Sequence, residues 1–140
     1  MTGQVFLDTN ILVYAALQPD PRSETARGLL AQRGMISVQV LNEFAHVANR
    51  KLRRSWPEIA RALAAIRVLC PPPLPITAAT HEAALAIAGR TGYAIYDALI
   101  IASALEAGCG ILFSEDLQDG QLIDGRLTVR NPFGKGIEAG

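Results

Sequence analysis

Short apolar runs alternate with longer stretches of helical spacing along the whole chain, and the punctuation between them is strong. Val5-Phe6-Leu7 reads as a short buried strand, and Asp8-Thr9-Asn10 follows with three residues suited to opening a helix. That helix is expected over Ile11 to Leu17, as far as the Pro19-Asp20-Pro21 loop, and a second over Ser23 to Gln32, closed by Gly34. Met35-Ile36-Ser37 reads as another short strand. From Val38 to Leu52 the positions Leu41, Phe44, Ala45, Ala48 and Leu52 fall on one helical face and define a core stripe.

Ser55-Trp56-Pro57-Glu58 is a capping box with proline in the first turn, so a helix starts there and runs to about Leu69, where Pro71 to Pro73 stop it. Leu74-Pro75-Ile76 fits a short edge strand, and Thr77 caps a helix running to about Arg90 ahead of Gly92. Between Asp97 and Glu106 every residue except Ser103 is apolar, so that helix is expected to be covered on nearly all sides. Ile111-Leu112-Phe113 is a buried strand ending in Ser114-Glu115-Asp116, and Leu127 to Val129 is a last strand before Asn131-Pro132-Phe133. Strands alternating with helices predict an α/β fold, a central parallel sheet with helices on both faces, in which sites form at the carboxyl ends of the strands. Asp8 and Asp116 both fall at that edge.

Composition narrows the class. A chain of 140 residues with 50% hydrophobic and 19% charged residues suits one globular domain, expected over residues 1–133, with a flexible tail over 134–140. The N-terminal stretch lacks the basic and apolar regions of a secretory signal, and the longest apolar run, Ala98 to Leu105, is far short of the ~20 residues a membrane helix needs, so a cytoplasmic protein without a membrane partner is expected. Cys70 and Cys109 read as small buried hydrophobes. Thirteen basic residues balance thirteen acidic ones, so any attraction to nucleic acid must be local. The densest positive segment is Arg50, Lys51, Arg53 and Arg54 at the end of a predicted helix. It can complement the helix dipole in solvent or grip phosphate.

Four acids have the placement that metal chemistry needs: Asp8, Glu43, Asp97 and Asp116, at strand ends or on otherwise apolar helices. Two carboxylates ~4 Å apart repel by roughly 4 kcal/mol at an effective dielectric near 20, so four brought together call for a cation. Oxygen ligands select a hard divalent ion. Taken singly, two of these positions have plainer readings. Glu43 lies off the core stripe and by periodicity is a solvent-facing glutamate, and Asp97 near the start of its helix can simply cap it.

Together, Asp8-Thr9-Asn10 after the first strand, Glu43 in the third helix, Tyr96-Asp97-Ala98 opening an apolar helix and Ser114-Glu115-Asp116 after a strand resemble a PIN domain, most closely the VapC-type toxins of toxin–antitoxin pairs. The resemblance spans nearly the whole chain. It implies a three-layer α/β/α sandwich and a Mg²⁺- or Mn²⁺-dependent endoribonuclease with Asp8, Glu43, Asp97 and Asp116 as catalytic acids. Asp8 and Asp116, with Asp97, are then the expected metal ligands. Thr9 and Ser114 match the hydroxyl residues beside the first and last acids, and Asn10 is a supporting, substrate-orienting residue. A cognate antitoxin, a homodimer and an RNA substrate come with the family.

Other chemistries fail on specifics. A metal-free ribonuclease usually needs a histidine pair, whereas His46 and His81 both fall in predicted helices as surface or packing residues. Glu43-x-x-His46 has di-iron spacing, but His81 has Ala78 three residues earlier and the second motif is missing. A phospho-accepting receiver domain would carry adjacent acids after the first strand and a late lysine, and here Thr9 and Asn10 follow Asp8, with Lys135 the only late lysine. A stand-alone RNA-processing nuclease without an antitoxin is the nearer alternative.

Overall fold

Phe6 and Leu7 are successive residues of a strand and so face opposite sides of its sheet, yet neither exposes any surface. Both faces of β1 (Val5–Leu7) are therefore covered. The computed structural model describes residues 4–133, which leaves the tail expected over 134–140, and Lys135 with it, outside the described residues. β1 pairs in parallel with β2 (Ile111–Phe113), and β2 in parallel with β4 (Leu127–Arg130). β3 (Leu122–Ile123) runs antiparallel to β4, giving the order β1-β2-β4-β3. The expected parallel sheet is thus present with one antiparallel edge. β3 was not expected, although its signal is in the sequence: Asp124 and Gly125, at φ 53° and 68°, are the central residues of a turn of the mirror-image kind closed by Arg126 N–H on Ile123 O.

The stretches 35–37 and 74–76, expected as strands, form only isolated parallel bridges, two for the first (Met35 to Phe6 and Ser37 to Leu74) and the latter of these for the second. Two local facts limit them. Ser37 already turns into the next helix, where its hydroxyl accepts from Val40 N, and Pro73 and Pro75 flank Leu74 with no N–H to extend a ladder.

Six helices cover the sheet: α1 (Thr9–Ala16), α2 (Ser23–Ala31), α3 (Val38–Arg50), α4 (Trp56–Leu69), α5 (Ala78–Thr91) and α6 (Ile95–Glu106). The caps read for α4 and α5 are formed, whereas α2 ends at Ala31 and the chain turns left-handed at Arg33, φ 63°, one residue before the expected Gly34. Ser55 and Glu58 exchange both bonds of a capping box, Thr77 caps α5, and Gly92 ends α5 at φ 83°, a conformation that costs glycine little. α1 packs with α2 and α3, and α3 with α4, while α5 and α6 pack on each other. The contact of α3 with α6 joins the two groups. Along α3 the most buried apolar residues are Val40, Phe44 and Ala48, with Leu41 and Ala45 half-buried and Leu52 half-buried just past its end, so the core stripe lies close to where periodicity put it. In α6 every residue from Ala98 to Leu105 is buried. Among the described residues no single helix is long and apolar enough to cross a membrane.

Candidate active site

The parallel strands deliver their carboxyl ends to one edge, and two backbone bonds extend the ladder there: Asp8 N–H donates to Phe113 O (3.0 Å) and Ser114 N–H to Arg130 O (3.0 Å). Asp8 is therefore fixed both by β1 and by its place at the start of α1. Its carboxylate is almost fully buried, with Oδ1 accepting from Thr9 N (2.6 Å) and Oδ2 from the Ser114 hydroxyl (2.7 Å). The same Ser114 oxygen accepts from the N–H groups of Asp116 and Leu117, at 3.1 and 3.2 Å. One buried hydroxyl thus ties the first acid to the loop carrying the last.

Glu43 points away from the α3 core stripe and into this edge. Its Oε1 accepts from the Thr9 hydroxyl (3.2 Å) and its Oε2 from Gln39 Nε2 (2.9 Å), one helical turn earlier. Asp97 lies in the first turn of α6 and does not cap it, because that position belongs to Ala94, which offers no side-chain acceptor. Asp116 is exposed, and its Oδ2 accepts from Asn10 Nδ2 (3.2 Å), while Asn10 Oδ1 accepts from Glu115 N (3.2 Å). All four acids, with Thr9 and Asn10, line one pocket of about 350 Å³. The sequence pattern put them in one site, and their side chains do face one space.

Electrostatics carry the mark of that crowding. Burial pushes the Asp8 carboxyl up to about 7, against the lowering effect of the Ser114 and Thr9 hydrogen bonds, and the Glu43 and Asp116 charges push it further. Glu43 is raised by burial and then by the charges of Asp97 and Asp116, and Asp97 by burial and then by Asp116. Among the described residues no three carboxylate, imidazole or thiol groups close into a ready-made ligand cage. The donor set nevertheless suits Mg²⁺ or Mn²⁺: it is all oxygen, it is mutually repulsive, and it lines a space with room for the waters magnesium keeps.

Sequence reasoning missed the support behind the last loop. Glu115 accepts from the Tyr14 hydroxyl (2.6 Å) and pairs with Arg22, whose guanidinium also bonds Asp20 and lies 4.6 Å over the Tyr14 ring. Tyr14 in turn meets Phe133 edge-on, with ring centroids 5.3 Å apart. Burial, and then Glu115, push the Tyr14 hydroxyl up to about 12, so it stays a donor. No local spacing announces a pair 93 residues apart.

The four clustered cations do not act as one group. Arg50 and Arg53 are exposed, and Lys51 is exposed and lines the acid pocket. Arg54 turns inward and donates to Leu17 O (2.7 Å), satisfying a carbonyl at the end of α1. His46 and His81 both lie on exposed helix positions.

The PIN domain family model matches residues 5–118. Among solved structures, the chain is similar to Mycobacterium tuberculosis VapC20, a sarcin–ricin loop cleaving toxin, with 27% identity and a TM-score of 0.65 over 81% of this chain and 92% of that one. FitAcB from Neisseria gonorrhoeae matches at 21% identity and TM-score 0.67, covering 94% and 99% of the two chains. VapBC2 from Rickettsia felis, bound to a DNA fragment from their promoter, matches at 18% and 0.64, covering 91% and 98%. At those lower identities the last two bear on the fold alone. No curated protein matches the sequence.

Proposed function

The chain belongs to the PIN domain family, and from that premise we propose that it is a Mg²⁺- or Mn²⁺-dependent endoribonuclease and the toxin of a toxin–antitoxin pair. The observation that carries this reading is the meeting of Asp8, Glu43, Asp97 and Asp116 on one pocket at the carboxyl edge of the parallel strands. Asp8, Asp97 and Asp116 would hold the ion, and Glu43 would join them directly or through water. A bound divalent ion lowers the pKa of water and neutralises charge on a reacting phosphoryl group.

The protein's own groups orient and hold protons. Ser114 and Thr9 N–H fix both oxygens of Asp8, and Asn10 fixes Asp116. Thr9 and Gln39 hold Glu43 at the pocket wall, where its carboxylate is placed to orient or accept a proton from a water in the pocket. Substrate, partner and assembly follow as parts of the proposal: RNA, a cognate antitoxin and a homodimer, in the cytoplasm. The likeness to VapC20, a sarcin–ricin loop cleaving toxin, supports the first, and a toxin's need for a neutralising partner brings in the second.

The test is cleavage of total cellular RNA by the purified protein with Mg²⁺ or Mn²⁺ and with excess chelator, followed by mapping of the cut ends. Chelation should stop the reaction, and Asp8→Asn, Asp97→Asn and Asp116→Asn should each slow it by orders of magnitude with the fold intact. Full activity in chelator overturns the proposal. A variant that cleaves at the normal rate removes that residue from the site.

A further inference from the structure

Next to the acid pocket, sharing Glu43, Val47 and Asp97 with it, lies a second groove of about 650 Å³, whose other walls include Asn42, His46 and Tyr96. That size is within the roughly 300–1,000 Å³ of ligand sites. Two elements build it. On α3, Asn42 and His46 are four residues apart and so share a helix face, exposed and turned away from Val40, Phe44 and Ala48. On α6, Tyr96 stands in the first turn immediately before Asp97 and is 62% exposed.

The fold makes no use of these three side chains. Among the described residues none of them has a hydrogen bond, ion pair or ring contact. The other large exposed apolar residues, such as Trp56, Val68 and Leu122, do not line the acid pocket or this groove, and Tyr14, which does line the acid pocket, is half-buried and engaged by Glu115, Arg22 and Phe133, so Tyr96 is the exposed and uncommitted aromatic ring beside the acids.

Charge selects the occupant. No lysine or arginine lines this groove, and its two carboxylates, Glu43 and Asp97, are those it shares with the acid pocket, so the groove has no positive group of its own to hold a phosphate or an acidic peptide. Lys51 lines the neighbouring acid pocket instead, where a phosphate would need a cation. A flat, uncharged group with donors and acceptors on its rim suits the space, and a nucleobase attached to a phosphate in the acid pocket is such a group.

We propose that this groove is a nucleobase subsite, in which the base flanking the scissile phosphate of single-stranded RNA stacks on Tyr96 while Asn42 and His46 read its edge. The subsite rests on the ribonuclease reading above and adds to it the residues that choose where RNA is cut. Stacking tolerates every base because each has a π-face, whereas the amide and imidazole discriminate among donor and acceptor patterns.

The experiment uses the full chain and a single-stranded RNA oligonucleotide containing a mapped cut site, together with versions abasic at the nucleotide on each side of the cut. Tyr96→Ala should raise KM about tenfold on intact RNA. On the RNA abasic at the stacked position it should change KM little, since the partner is already gone. Tyr96→Phe should restore the wild-type KM, and Asn42→Ala and His46→Ala should shift the preference among four substrates differing only at that nucleotide. An unchanged KM for Tyr96→Ala, or an equal loss on intact and both abasic RNAs, overturns the subsite. So does a Tyr96→Ala enzyme that cleaves normally but escapes its antitoxin, which would give the groove to a protein. Failure of the wild-type chain to cut any RNA would instead defeat the ribonuclease reading itself, and is seen before any variant is compared.

Discussion

Asp8 shows how one side chain is held in a form the fold resists. Its hydrogen bonds from Thr9 and Ser114 favour the carboxylate, yet burial wins and raises its pKa from 3.8 to about 7 in the metal-free protein. The folded chain then keeps a proton that the unfolded chain has lost. Between pH ~4 and ~7 stability should therefore fall as pH rises, by as much as a few kcal/mol, and change little above that window as far as Asp8 is concerned. In chelator, Asp8→Asn should lack this component, so its Tm should gain on wild type steadily from pH 4.5 to 7.5. Parallel pH curves for the two proteins would show that Asp8 is not strained. Adding Mg²⁺ at ten times its dissociation constant should stabilise wild type by about 1.4 kcal/mol and the variant by less. Asp8 and its Thr9 and Ser114 neighbours were legible in the sequence because a strand end, a helix cap and a family pattern coincide there. Periodicity alone misplaced Glu43, since the helix face opposite a core is solvent only when no second element approaches it, and here the start of α6 does.

At the scale of elements, legibility followed the range of the interaction. Ser55 with Glu58, and Thr77 with Thr80, make bonds within one turn, and their caps were readable from four residues each. The 35–37 and 74–76 strands were over-read because apolar content says nothing about the donors that Pro73 and Pro75 lack. The Arg22–Glu115 pair was invisible, since its two residues become neighbours only after α1 and β2 are placed. That pair braces the loop holding Ser114 and Asp116, so its effect should appear in the site more than in stability. Arg22 and Glu115 are partly exposed, and solvent screening limits the ion pair and cation–π contact to about 1 kcal/mol together. Arg22→Ala should lower Tm by no more than several degrees while raising the Mg²⁺ concentration needed for half-maximal cleavage severalfold. A variant with normal Mg²⁺ dependence would leave the brace a purely structural feature.

The whole molecule is electrically neutral, with thirteen charges of each sign, so it has no long-range pull on RNA and must rely on where its cations lie. Sequence density grouped Arg50, Lys51, Arg53 and Arg54, but density along a chain is not density in space. Arg54 is committed to the Leu17 carbonyl, Lys51 lines the acid pocket, and Arg50 and Arg53 remain in solvent. The fold thus divides the cluster into three charges free to meet phosphates and one that closes α1. Each phosphate neutralised on a single strand contributes about −0.7 to the slope of log binding constant against log salt. Replacing Arg50, Lys51 and Arg53 together by Gln should therefore flatten that slope by about 2 if all three make contact, and leave Tm nearly unchanged. Arg54→Gln should do the reverse, lowering Tm through an unsatisfied α1 carbonyl while leaving the salt slope as it was. Fluorescence anisotropy with a labelled single-stranded RNA across a salt series, alongside thermal melts, measures both. If the triple variant keeps the wild-type slope, the three cations serve only to solvate the end of α3, and RNA must be held by the metal site and the groove beside it.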